Sequence, residues 1–245
     1  MIRYDKSVAN GESVNAFAVL LYLRFVLNGV IMFSVIIMEK INALNNKTYM
    51  FLGSSVTYGS SAGGNSMCEF LSERYGCKII KNAVSGTTLA GPDADSYVSR
   101  LDAMIASREE FEKPDAFVCQ LSTNDASHPE KLGNLTCGNG DLPDKNTCFG
   151  AVEYIITAVK RVWGCPIAFY TNSYFDNAVY AEMVSTLNGM KARYGIAVLD
   201  MYTDVRFNSI SKKQRARYMS DDIHPTVEGY RDWWTPKFAE FLKDL

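Results

Sequence analysis

The stretch that indicates the fold is TYMFLGSSVTYG, residues 48–59. It places a short apolar run, residues 49–52, directly before one glycine and two serines. A short apolar run that is bounded by turn residues is typical of a buried strand. We therefore predict a buried strand here, followed at once by a turn that presents polar side chains.

The same pattern continues towards the C-terminus, where apolar runs alternate with segments of helical period. Further strands are predicted at residues 78–80, 116–121, 167–170 and 196–199, and helices at 67–75, 97–107, 150–163, 179–194 and about 226–242. Strands that alternate with helices form parallel sheets, and right-handed crossovers place helices on both faces. The sequence thus predicts an α/β protein, a three-layer α/β/α sandwich with a mostly parallel sheet of about five strands.

Residues 1–46 form an N-terminal extension with a composition of its own. Residues 14–38 are almost continuously apolar, a length that could span a bilayer. Arg24 lies near the middle of this run, where a charge opposes insertion by about 2.5–3.5 kcal/mol. No small-residue cleavage site follows, so a cleaved signal peptide is not expected.

Three interpretations of this extension stay open. It is a membrane anchor, a helix packed on the domain, or sequence upstream of a true start at Met32 or Met38. We assign residues 47–245 to the domain and favour a soluble cytoplasmic core. Any membrane contact is then expected only through residues 14–38.

Length and composition limit the classes of function. The 245 residues suffice for about one core, and 47% hydrophobic and 21% charged residues are ordinary globular values. The net charge of −2 and the scattered basic residues argue against a nucleic-acid partner. With only His128 and His224 and no CxxC pair, we expect no metal and no cofactor. Only Cys137 and Cys148 flank a polar loop where a disulfide could form, although a chain of this length does not need one.

Polar residues follow the predicted strands, at the edge where parallel sheets bind ligands. GSSVTYG at 53–59 follows the first strand, NAVSG at 82–86 the second, STND at 122–125 the third, and DDIHP at 221–225 comes well after the fifth.

A serine hydroxyl needs a base to become a nucleophile. His224 is the candidate base, and Asp221, three residues earlier, can orient its ring. A surface turn is the structural alternative for this pair.

Acyl transfer also needs hydrogen-bond donors that are aimed at the developing oxyanion. The backbone N–H groups of Ser55 and Gly86 and the side-chain amide of Asn124 are the candidates. Taken singly, Gly86 reads as a turn glycine and Asn124 as an Asx-turn. Their joint placement after the first three strands favours the functional interpretation.

Together the four segments resemble the motifs of the SGNH (GDSL-like) hydrolases, a family of esterases, lipases and carbohydrate deacetylases. The resemblance runs from about Tyr49 to the C-terminus and implies the flavodoxin-like fold of that family. It makes Ser55 the nucleophile and one oxyanion donor, Gly86 and Asn124 further oxyanion donors, His224 the base and Asp221 its orienter.

Two positions depart from the family pattern. Ser54 stands in place of the usual aspartate before the nucleophile, and Ser122 replaces the glycine of the GxND motif. Neither change removes a catalytic group.

A competing motif, GSSAG at 59–63, matches the G-x-S-x-G elbow, but that elbow must follow directly on a strand. We therefore expect a flexible loop there, with Ser61 outside the chemistry.

The expected function is that of a serine esterase that removes a short acyl group. The resemblance suggests an acetyl group on a carbohydrate as the small-molecule ester substrate. Three alternatives stay open: a lysophospholipase or thioesterase with the same residues, a catalytically silent glycan-binding module, and a membrane-tethered acyltransferase.

Overall fold

A parallel sheet of five strands forms the centre of the unit that spans residues 44–245. The computed structural model describes residues 43–110, 112–136 and 142–245. Its strands are β1 (Thr48–Gly53), β2 (Lys78–Ala83), β3 (Ala116–Gln120), β4 (Ile167–Tyr170) and β5 (Ala197–Leu199). Their order across the sheet is β2-β1-β3-β4-β5, and every neighbouring pair is parallel. The predicted α/β architecture with five strands is confirmed.

Helices cover both faces of this sheet. They are α1 (Ser55–Tyr58), α2 (Met67–Tyr75), α3 (Tyr97–Ala106), α4 (Cys148–Val162), α5 (Ala178–Tyr194), α6 (Val205–Asn208), α7 (Lys212–Tyr218) and α8 (Thr235–Leu242). A π-helix, Gly229–Trp234, precedes α8, and short 3₁₀ turns fill several connections.

Two apolar cores lie on opposite sides of the sheet. Successive side chains of a strand point to opposite faces, so Met50 and Leu52 of β1 enter one core and Tyr49 and Phe51 the other. Helices α3, α4 and α5 complete the first core, while α2, the π-helix and α8 complete the second. Both faces of the central strands are buried, which explains why their sequences are apolar runs rather than alternating patterns.

Strand β2 corrects one prediction. Residues 78–80 were expected to form a buried strand, but β2 is an edge strand: Lys78 is exposed and the rest of the strand is half-buried. Only one side of β2 is paired, and lysines are common on such edges because they discourage pairing with another chain. The strand is also longer than predicted and ends at Ala83.

The structure also corrects the prediction for the C-terminal helix. A single helix was predicted over about 226–242, whereas the structure has the π-helix followed by α8. Pro236 lies in the first turn of α8 and has no N–H to donate to the carbonyl four residues earlier. The backbone N–H of Thr235 donates to Tyr230 O, five residues back, which is the π-type spacing. Pro236 is thus a visible sequence signal for this interruption.

The compact unit that contains the sheet begins at Leu44, whose side chain is fully buried. Residues 1–42, which include the apolar run, lie outside the described residues, so the interpretations of that run stay predictions. Cys137 also lies outside them, whereas Cys148 is a free, buried thiol.

No helix in the described part of the chain has the length and apolar character to cross a membrane. Nor do the described His, Cys, Asp and Glu residues form a group of three that could hold a metal ion.

Because the strands are parallel, their carboxyl ends meet at one edge of the sheet. The last residues of the five strands are Gly53, Ala83, Gln120, Tyr170 and Leu199. The candidate site residues follow the first three strands and reach this edge again in the segment after α7.

Candidate active site

Ser55 lies at the first turn after β1. The strand ends at Gly53 and α1 begins at Ser55, whose side chain is nearly buried. A Cβ atom on Gly53 would lie 1.6 Å from Oγ1 of Thr57. Only glycine therefore allows α1 to fold so closely over the strand end, and this turn holds the Ser55 hydroxyl at the edge of the sheet.

The structure brings Ser55, His224 and Asp221 together in one hydrogen-bonded chain. Oγ of Ser55 is 2.8 Å from Nε2 of His224. On the other side of the ring, Nδ1 of His224 is 2.8 Å from Oδ2 and 3.1 Å from Oδ1 of Asp221. These are the three residues that the sequence predicts for nucleophile, base and orienter, and 169 positions separate the serine from the histidine.

The Asp221 carboxylate is held by its own loop. Its Oδ1 accepts the backbone N–H groups of Ile223 and His224, both at 2.7 Å. Partial burial alone would raise the pKa of Asp221, but these two donors and the imidazole outweigh it and hold that pKa below its ordinary value. The carboxylate is thus ionised and aimed at the ring.

Asp222 points away from this arrangement. Its side chain is 89% exposed, and its nearest cation is Arg215, 3.8 Å away. Adjacent residues of an extended loop face opposite ways, which is why Asp222 points to solvent while Asp221 faces the His224 ring.

Two contacts fix the loop that carries His224. Residues Met219 and Pro225 form an antiparallel bridge, whose hydrogen bonds run from Ser220 N to His224 O and from Thr226 N to Tyr218 O, both at 2.8 Å. Nδ2 of Asn172, just after β4, donates to Ile223 O at 3.2 Å. The sequence analysis did not single out Asn172, although its position directly after the fourth strand was the available signal.

Gly86 lies in the exposed loop after β2, with φ of +80°. A Cβ atom there would meet nothing within 4 Å, so backbone conformation, not crowding, is what favours glycine. The loop contacts the turn around Ser55 in two places. Val84 N donates to Gly53 O at 3.2 Å, and Ser85 Oγ lies 2.8 Å from Ser60 Oγ, which donates to Ser55 O.

Asn124 is attached to the same loop. Its Nδ2 donates to Thr87 O at 2.9 Å, and Ser122 Oγ donates to the same carbonyl at 3.2 Å. The neighbouring Asp125 is buried, and its carboxylate accepts the backbone N–H of Leu89 at 2.8 Å. Burial raises the pKa of Asp125, although this donor opposes the shift. Residues 122–125 therefore hydrogen-bond to the backbone on both sides of Thr88, at Thr87 and at Leu89.

The two departures from the family pattern are both buried. The backbone N–H of Ser54 donates to Oε1 of Gln120 at 2.9 Å, and the hydroxyl of Thr57 donates to the same oxygen at 2.8 Å. Ser122 Oγ, besides its contact with Thr87, accepts the backbone N–H of Asn124 at 3.1 Å. Ser54 therefore belongs to the buried hydrogen-bonded cluster of Thr57 and Gln120 beside Ser55. The Ser122 hydroxyl adds a contact that glycine cannot make.

The competing motif lies away from any strand end. Residues Ser60–Ala62 form a 3₁₀ turn, and Gly64 N donates to Gly59 O at 3.0 Å. The segment is thus a hydrogen-bonded turn rather than the flexible loop that we expected. Ser61 is exposed within it, and His224 contacts Ser55 instead.

A surface cleft of about 440 Å³ lies beside the ends of β4 and β5. Its lining residues are Tyr174, Tyr202, Thr203, Val205, Asn208 and Ser209. The Tyr174 ring is about half exposed, and Tyr174 O accepts a hydrogen bond from Arg215. Tyr58 is also about half exposed, whereas Trp233 and Trp234 belong to the core.

The fold is shared with solved structures of low sequence identity. A protein from Lactobacillus plantarum is 22% identical, with a TM-score of 0.65, over 82% of this chain and 98% of its own. A protein from Bacteroides ovatus that is classed as a GDSL-like lipase is 17% identical, with a TM-score of 0.57, over 82% and 100%. A family two carbohydrate esterase from Clostridium thermocellum, in complex with cellohexaose, is 14% identical, with a TM-score of 0.55, over 81% and 64%.

The family follows from the sequence match. No curated protein sequence matches the chain. The model of the GDSL-like lipase/acylhydrolase family, however, matches residues 51–231, which is most of the chain and includes Ser55, Asp221 and His224. The protein therefore belongs to the GDSL-like lipase/acylhydrolase family of SGNH hydrolases.

Proposed function

We propose that the protein is a serine ester hydrolase in which Ser55 is the nucleophile, His224 the general base and Asp221 the orienter of His224. The observation that carries this proposal is the unbroken chain of hydrogen bonds from Ser55 Oγ through both ring nitrogens of His224 to Asp221. A base that contacts the hydroxyl, and that is itself held by a third group, is the arrangement that activates a serine.

The proposed reaction has two halves. Ser55 Oγ attacks the acyl carbon while its proton passes to Nε2 of His224, and the tetrahedral species then expels the alcohol, which takes that proton. Water next attacks the acyl-enzyme and gives a proton to Nε2, which returns it to Ser55 Oγ as the carboxylic acid leaves. In both halves the Asp221 carboxylate stabilises the transient imidazolium.

The proposed oxyanion hole consists of the backbone N–H groups of Ser55 and Gly86 and the side chain of Asn124. Among the described residues, no protein acceptor pairs with either backbone N–H group. The Asn124 amide has two hydrogens. Thr87 O accepts one of them, which fixes the plane of the amide and leaves the second for the oxyanion.

The proposed substrate is an ester with a short acyl group, and acetylated carbohydrates are the class that we favour. The cleft beside β4 and β5 presents the half-exposed ring of Tyr174, and an aromatic face suits the apolar face of a sugar ring. The shared fold with a carbohydrate esterase that binds cellohexaose supports the same choice.

Hydrolysis by the full-length chain tests this proposal. We expect release of nitrophenol from nitrophenyl acetate, slower release from long-chain esters, and release of acetate from acetylated sugars. Ser55→Ala should abolish all three, while Ser61→Ala, the matched control in the neighbouring turn, should keep most of the activity. Rates that rise steadily with chain length would favour a lysophospholipase or thioesterase, and sugar binding without any hydrolysis would favour a glycan-binding module.

A further inference from the structure

Arg100, in the first half of α3, is a buried cation without a carboxylate partner. Its exposed fraction is only 8%. Within the described residues, no aspartate or glutamate forms an ion pair with it. Burial lowers the pKa of the guanidinium, yet arginine stays protonated at all ordinary pH values. Burying a charge costs free energy unless the charge is well hydrogen-bonded, so the burial of Arg100 depends on the groups that accept its hydrogen bonds.

Those acceptors lie where two strands end. Nη2 donates to Gly53 O at 2.8 Å, at the end of β1. Nη1 donates to the carbonyl and the side-chain oxygen of Asn82, in β2, at 2.9 and 2.6 Å. Nε donates to Asp95 O at 2.8 Å, which anchors the guanidinium to the start of its own helix.

A further contact reaches the loop that carries Gly86. Nη2 of Arg100 also lies 3.2 Å from Oγ1 of Thr87, the residue after Gly86. The Thr87 hydroxyl in turn donates to Val84 O at 2.7 Å, which closes the loop. Thr87 O is the acceptor that fixes the Asn124 amide. One guanidinium therefore touches the strand end before Ser55, the loop of Gly86 and the residue that orients Asn124.

We propose that Arg100 is a positioning residue that sets the spacing between the Ser55 turn and the loop of Gly86 and Thr87. This inference rests on the proposed function, because the spacing matters through the three oxyanion donors. The planar guanidinium holds several acceptors in one rigid fork, whereas an ammonium is a point charge on a flexible chain. Arg100→Lys therefore keeps the charge but loses the geometry.

The test compares Arg100→Lys with Arg74→Lys in the full-length chain. Arg74 controls for the exchange of arginine for lysine itself: it also donates to a backbone carbonyl, Arg231 O, at 2.7 Å, but it lies in α2, is 36% exposed and pairs with Asp232. For Arg100→Lys we expect kcat on nitrophenyl acetate to fall by about 10- to 100-fold, the range for a misplaced catalytic group, with KM changed by less than about threefold. Arg74→Lys should change kcat by less than about twofold.

Two further readouts separate positioning from general stability. Inhibition by methaneboronic acid, which forms a tetrahedral adduct with an active serine, should weaken by a factor similar to the loss in kcat. Amide hydrogen exchange in residues 84–90 should become faster in folded Arg100→Lys and stay unchanged in Arg74→Lys. A structural role alone would lower the melting temperature without weakening inhibition of the folded enzyme.

The outcomes are distinct. If folded Arg100→Lys keeps its kcat and its exchange rates at 84–90, the proposal is wrong. If the unmodified chain hydrolyses no ester, the proposed function fails, and the exchange rates alone decide whether Arg100 positions the loop. If Arg100→Lys does not fold, Thr87→Val replaces it: a loss in kcat of several-fold with faster exchange at 84–90 supports the proposal, and unchanged values of both overturn it.

Discussion

Asn172 ties the end of β4 to the loop of His224, because its Nδ2 donates to Ile223 O at 3.2 Å. The acceptor belongs to the residue directly before the histidine. The proton transfer that we propose between Ser55 and His224 depends on a distance of 2.8 Å, so a contact that fixes the adjacent carbonyl also helps to fix the ring.

We therefore predict that Asn172→Ala lowers kcat by about tenfold, because small displacements of a catalytic group reduce the rate steeply. KM should change much less, since Asn172 does not line the cleft beside β4 and β5 that we propose for the substrate. Steady-state kinetics on nitrophenyl acetate measures both values. Asn188→Ala is the control. The Asn188 amide also donates a partly buried hydrogen bond, to Asp200 at 2.7 Å, but Asn188 lies in α5. Equal kcat values for the two variants would mean that Asn172 does not position His224.

The adjacent aspartates give a second prediction. Asp221→Asn should lower kcat by at least about a hundredfold, because a carboxylate on Nδ1 fixes the tautomer and stabilises the imidazolium. Asp222→Asn should change kcat by less than about threefold, since its side chain is 89% exposed and lies 3.8 Å from Arg215, a surface ion pair. A swap of the two effects would assign the orienting role to Asp222. Full activity in both variants would leave His224 oriented by a backbone group.

The pH dependence of stability gives a third prediction, again from Asp221. Folding lowers its pKa, so the ionised carboxylate stabilises the folded state above the unfolded value of about 3.9, and this contribution is lost as pH falls through the folded pKa. The melting temperature of the unmodified protein should exceed that of Asp221→Asn at pH 5 to 7. The gap should narrow as pH falls from about 4 towards 2.

Melting curves of the unmodified protein, Asp221→Asn and Asp222→Asn at several pH values provide this measurement. Asp222→Asn makes the same change of charge one residue away and controls for net charge. A gap for Asp221→Asn that stays constant from pH 7 to pH 2 would mean that the carboxylate does not stabilise its loop.

Deletion of residues 1–37 gives a fourth prediction. All five strands, Ser55 and His224 lie beyond that point, and the compact unit begins at Leu44. The shortened chain should therefore be folded and should keep its activity on nitrophenyl acetate. Circular dichroism and steady-state kinetics check this directly. An inactive or insoluble product would mean that the N-terminal segment packs on the domain.

The strands were predictable because burial leaves a simple signal. Both faces of β1, β3 and β4 are covered, so their residues form apolar runs that stand out against the polar segments between them. The edge position of β2 was not predictable, because strand order depends on crossovers that local patterns do not encode. The π-helix escaped prediction for a different reason: its apolar residues still follow a near-helical period, and only Pro236 marks the break.

The candidate site divides in the same way. Ser55, Asp221 and His224 lie in short motifs whose chemistry can be recognised one segment at a time. Asn172 and Arg100 act through backbone carbonyls of distant segments, Ile223 O and Gly53 O, and a carbonyl acceptor has no sequence signature. Their contacts appear only when the strands are brought together.

The most direct test of the central claim is the site of covalent modification by a fluorophosphonate, which reacts with an activated serine. The full-length chain should gain one adduct, and peptide mass spectrometry should place it on Ser55. Ser61→Ala should react at the unchanged rate, and His224→Ala should react far more slowly, since the base that activates Ser55 is gone. An adduct on Ser61, or no adduct on a folded chain, would contradict the account.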